Sequence, residues 1–130
     1  MTKATTLESQ HRDYIKWTRE LNFFNDELKL FENQLEQLIG RSEKSSLPRF
    51  EHFQNSFLRQ HEVIDELLHD IKIIDRELIS VRDGRQIKLV DKVQDYDTLR
   101  VRMETFVELY AELKSEFVEF VNSMIAKGSS

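Results

Sequence analysis

The chain has no cysteine, one proline and three glycines in 130 residues. Without cysteine there is no disulfide, no thiol nucleophile and no thiolate metal site. A sandwich or barrel needs a turn signal roughly every 8–12 residues, and so few glycines and prolines cannot supply them. Also missing is any run near the roughly 18 apolar residues of a spanning helix. The opening MTKATTLESQHRD lacks the apolar stretch of a signal peptide, so a cytoplasmic protein is expected. The net charge of −5 leaves no excess of Lys and Arg, which argues against nucleic acid and against an anionic membrane as partner. No glycine-rich phosphate loop, no G-x-S-x-G and no H-E-x-x-H occurs, so an enzyme is not expected.

What the chain has is heptads. Between Pro48 and Arg82 apolar residues return at Phe50, Phe53, Phe57, Ile64, Leu67, Ile71, Ile74, Leu78 and Val81, spaced three then four, with Gln60 the one polar member. That is the seam of a long helix packed against other long helices. A second seam runs Tyr14, Trp17, Leu21, Phe24, Leu28, Phe31, Leu35, Leu38, and its upstream extension places His11 and Leu7 on the same stripe. A third runs Tyr96, Leu99, Met103, Phe106, Tyr110, Leu113, Phe117, Phe120, Met124, with a shift of phase upstream at Leu89 and Val93. Gly40 and the polar stretch to Ser46 separate the first two helices, and Asp83-Gly84 the last two. Helices over about 7–39, 47–82 and 86–126 in one domain, 1–130, are the expectation. Short connections make them an all-α, up-down-up antiparallel bundle with coiled-coil-like packing, open to completion by dimerisation.

Antiparallel pairing sets the levels. Trp17 should lie level with His69 and Leu99, His61 with Asn25 and Val107, His11 with Asp75 and Val93, and His52 with Gln34. The four histidines are then spread along the rod. Gln60 and His61 should form a hydrogen-bonded layer that fixes register, with Asn22, Asn25 or Asp26 as partners. His11 should close the end of the core or pair with Asp75.

Chemistry has one further candidate. Glu66 and His69 form an E-x-x-H on one helix, and with His61 and Glu62 they are the residues a divalent metal or small ligand would use. The heptad turns Glu66 and His69 away from the seam, so a solvated face is the plainer reading, and no cofactor is expected. Off the seams stand Ile15, Phe23 and Leu30 in the first helix, Leu58, Val63, Leu68, Ile73 and Ile79 in the second, and Val101, Val107, Leu109, Val118, Val121 and Ile125 in the third. Phe23 and Leu30, one heptad apart on the side away from the seam, suggest a helical partner or a second copy of the chain, the alternative being that they cover a neighbouring helix of the same chain.

Two stretches resemble an uncharacterised family of small helical bacterial proteins. They are His11 with Trp17, Phe24 and Glu27, and Glu51-His52-Phe53-Gln54-Asn55-Ser56-Phe57 followed by Asp65, Leu68, His69 and Asp70. The resemblance covers the first half of the chain. It implies a cytosolic helical bundle and brings no activity. It draws attention to Glu51, His52, Asn55 and His69, where more polar identity stands than a seam requires. A surface shared by all four would be the first candidate binding site, plain solvation being the alternative, and Glu51, His52 and Asn55 are counted with the partner surface. The function expected from the sequence is therefore protein–protein contact without catalysis, with the metal or small-ligand bundle as the alternative.

Overall fold

A computed structural model describes residues 3–41, 44–82 and 89–128, with side-chain surroundings for 7–41, 44–80 and 94–126. Three long helices account for almost all of it: α1 Lys3–Ile39, α2 Leu47–Arg82 and α3 Leu89–Gly128, of 37, 36 and 40 residues. At 1.5 Å per residue these are rods of roughly 54–60 Å. No strand occurs among the described residues. The second helix falls on the expected bounds. The first begins at Lys3, four residues before Leu7, because Lys3-Ala4-Thr5-Thr6 contains no breaker and each added residue gains a backbone bond. The third begins at Leu89 and continues to Gly128. The Asp83-Gly84 break and the side chains of Val81, Leu89 and Val93 lie outside the described residues.

The first connection is built as its composition suggests. The last turn of α1 closes through Arg41 N–H donating to the Leu38 carbonyl at 3.1 Å. A short 3-10 turn, Lys44–Ser46, leads into α2, where Pro48 stands in the first turn and its missing N–H costs nothing.

The direction of each helix is readable from its cross-links. As the α1 residue advances from His11 to Asn25, the α2 partner falls back from Asp75 to His61, so α1 and α2 are antiparallel. Asp70 with Arg102 and His52 with Glu116 set the same relation between α2 and α3. The α1–α3 bonds Asp13–Tyr96 and Glu27–Tyr110 both span 83 residues, the constant offset of two parallel helices.

All three seams face inward. Along α1, every seventh residue (Tyr14, Leu21, Leu28, Leu35) is buried, and the alternate set Trp17, Phe24, Phe31 and Leu38 is half-buried. That second set turns towards α3: Trp17 stacks on Tyr96 at 5.5 Å, Phe24 meets Phe106 and Tyr110, and Phe31 meets Phe117. Large rings on both sides hold the α1 and α3 backbones apart, whereas α1 and α2 approach closely. From α2, Phe50, Phe53, Phe57, Ile64, Leu67, Ile71 and Leu78 are buried. Near the first loop Phe53 and Phe57 interlock with Phe117, and Phe50 and Phe53 with Phe120. Each such side chain removed from water contributes about 1.5–3 kcal/mol, which is where the stability of this fold resides.

Candidate functional site

Polar side chains gather in layers between the helices and at several places on the surface. The first layer centres on His61, half-buried on α2. Its Nδ1 bonds Asn25 Oδ1 and its Nε2 lies 2.5 Å from Glu32 Oε1. Asn25 and Glu32 stand one heptad apart on α1, so the imidazole is gripped from two successive positions of one face. An imidazolium would donate to both oxygens; a neutral ring donates to Glu32 and accepts from the Asn25 amide once that amide is turned over. The expected register layer is thus present at His61, with Asn25 as foreseen and Glu32 as an addition. Gln60 does not join it: its Oε1 is buried with no hydrogen-bond partner among the described residues.

The second layer lies where α1 begins. His11 Nδ1 is 2.7 Å from Asp75 Oδ1, the pair anticipated from the level. The seam position beside it belongs to Gln10, which is 5% exposed, and its Oε1 has no partner among the described residues. Counting back seven from Trp17 lands on Gln10, so the heptad itself carried the signal. Tyr14 is buried with an unpartnered hydroxyl; burial, then the negative charges of Asp95 and Asp75, push its ionisation well above the usual phenol range. Tyr96 donates to Asp13 at 2.5 Å, and that bond, then burial, holds its phenol up at about 12. Further along, Tyr110 donates to Glu27 at 2.7 Å and Lys114 to the other oxygen at 3.1 Å; burial, then the Glu27 bond, raises Tyr110 strongly.

The four metal candidates do not converge. His61 points to α1, while Glu62, Glu66 and His69 are exposed, Glu62 lying 3.6 Å from Arg59. Among the described residues no group of three or more His, Asp or Glu is placed to hold one ion. On the partner-surface candidates, Phe23 and Leu30 are 60% and 63% exposed, so neither covers a neighbouring helix of its own chain. Glu51 and Asn55 are exposed on α2. His52 is drawn sideways to Glu116 at 3.2 Å and stands edge-on to Phe53, at the wall of an α2–α3 groove of about 570 Å³. Asn55 and His69, two heptads apart, are separated by roughly 21 Å along the helix and share a face without sharing a site.

One feature was hidden from sequence because it is made by two helices. Between α1 and α2 lies a groove of about 580 Å³ floored by Tyr14, Ile15, Leu68, Ile71 and Ile79. Arg19, Lys72 and Arg76 form its rim. No described helix is long and apolar enough to cross a membrane.

Compared with known proteins, the chain matches no family model, no curated protein and no solved structure.

Proposed function

We propose that this bundle works by protein–protein contact rather than by catalysis, and that its first partner is a second copy of itself. The supporting observation is the exposure of Phe23 and Leu30 on a helix whose other large apolar side chains, Ile15 apart, are drawn into the core or against it. Scattered exposed apolar residues need no account, but a phenylalanine and a leucine one heptad apart form an anchor pair of the kind helices use to meet. A two-fold axis between α1 helices would seat Phe23 of one copy against Leu30 of the other, the self-complementary arrangement that closed dimers require. Glu51 and Asn55, exposed on α2, supply polar groups for a further helical partner. A cytoplasmic location fits this reading.

The test is sedimentation over a wide concentration range. The native chain is expected as a dimer, and a double variant carrying Phe23→Glu and Leu30→Glu as a monomer with unchanged helical circular dichroism. A native chain that stays monomeric up to about 100 μM overturns self-association, because weaker contacts fall below ordinary cellular use.

A further inference from the structure

We infer that the α1–α2 groove is a binding site for a small amphiphilic carboxylate, an apolar body of medium length with an anionic head. The floor is hydrocarbon and one aromatic ring, Tyr14, Ile15, Leu68, Ile71 and Ile79, and its volume of about 580 Å³ lies in the range of small-molecule sites. The rim is cationic. Arg19 from α1 faces Lys72 and Arg76 from α2, all three exposed, and among the described residues none has an ion-pair partner.

That clustering works against the free protein. Lys72 and Arg76 are four apart on one helix, where like charges destabilise it, and Arg19 adds a third across the groove. Elsewhere on this surface cations are paired at that spacing, as Lys16 with Glu20 and Arg100 with Glu104. In a chain of net charge −5, three unneutralised cations around one apolar floor are complementary to an anion. The one acid of the lining, Asp75, is already engaged by His11 at 2.7 Å. Guanidinium groups at two corners match the two oxygens of a carboxylate.

The groove also limits what it can hold. Its lining runs over Tyr14–Arg19 and Leu68–Ile79, about 17 Å of α2 at 1.5 Å per residue. Towards the first loop the α1–α2 boundary becomes polar at Asn25, Glu32 and His61. A fourth helix would need an apolar stripe running on past that point, whereas a chain of about ten carbons needs only the segment present.

Decanoate is the probe, titrated into the full chain by calorimetry and by methyl NMR. Saturable binding is expected, with shifts concentrated on Ile15, Leu68, Ile71 and Ile79. Affinity should fall with added salt, and decylammonium should bind at least about tenfold more weakly. Arg19→Gln alone should weaken decanoate several-fold. The triple variant Arg19→Gln, Lys72→Gln, Arg76→Gln should weaken it at least about tenfold with the helical circular dichroism kept. Equal binding of decylammonium, shifts centred on Phe23 and Leu30, or no saturable response overturns the inference. Attachment to phosphatidylglycerol vesicles without any response to free decanoate also overturns it, in favour of a lipid surface.

Discussion

At the scale of single residues, Gln10 is the position where sequence and environment disagree. It occupies a seam site that the heptad reserves for an apolar side chain, and its carbonyl oxygen is buried without a described partner. A buried acceptor left unpaired costs about 1–3 kcal/mol. Gln10→Leu keeps the size and removes that cost, so urea unfolding should show a gain of about 1 kcal/mol. A loss of similar size would mean that the amide makes a bond the replacement destroys. Gln10 is legible in the heptad, seven residues before Trp17, but the period does not show whether a polar side chain at a seam position finds a partner. The partners of His61 divide differently. Asn25 follows from antiparallel levels alone. Glu32 does not: helical side chains lean toward their own N-terminus, so on antiparallel helices Glu32 and His61 lean toward each other and together close an offset that neither spans alone, and side-chain lean is invisible to periodicity. The same limit hid Asp13 under Tyr96 and Glu27 under Tyr110: the rings read as core, and the hydroxyl partners came only with three-dimensional placement.

Among the elements, the helices were legible because their apolar periods are long and nearly uninterrupted. Their ends were less so, since fraying and continuation depend on a few weak local terms. The first connection illustrates this. Gly40 marks the stop, as composition implied, yet its backbone lies outside the left-handed region that makes glycine necessary, and a β-carbon there would meet only Gln37 O at 3.9 Å, an ordinary contact. Glycine at this site therefore adds only unfolded-state freedom. Gly40→Ala should stabilise by about 0.4–1 kcal/mol in the same unfolding assay, by restricting the unfolded chain. Destabilisation beyond that amount would place Gly40 in a conformation alanine resists. The inner packing of α1 was only half legible. Its two alternating sets share one period but differ in composition, one mostly leucine and the other mostly aromatic. The leucine-rich set is buried and the aromatic set half-buried against α3, a division set by the separation that the rings impose.

For the molecule as a whole, the three tyrosines report the integrity of the bundle, because they are the only three and each is held protonated by the assembled helices. Tyr14 is raised first by burial, Tyr110 by burial and then its bond to Glu27, and Tyr96 by its bond to Asp13 and then burial. Every cause exists only when α1 and α3 lie side by side or the core is closed. A folded value above the unfolded one favours the protonated form in the native state. The stabilisation is therefore complete below pH about 10, where the unfolded phenol titrates, and is lost as pH rises from there through about 12 for Tyr96 and beyond for the other two. Native protein at pH about 11 should show almost no tyrosinate absorbance, while the chain in urea at the same pH should show most of it. On further alkalisation the tyrosinate band and the loss of helical circular dichroism should rise together, since ionising these phenols opens the α1–α3 contact. Glu27→Gln should bring part of the absorbance to lower pH, because Tyr110 then loses the negative charge beside it and keeps its burial and a weaker, neutral acceptor. A tyrosinate band that grows around pH 10 while the helical signal stays intact would mean that α3 does not close over α1 in solution, and that the bundle is an α1–α2 pair with a loosely held third helix.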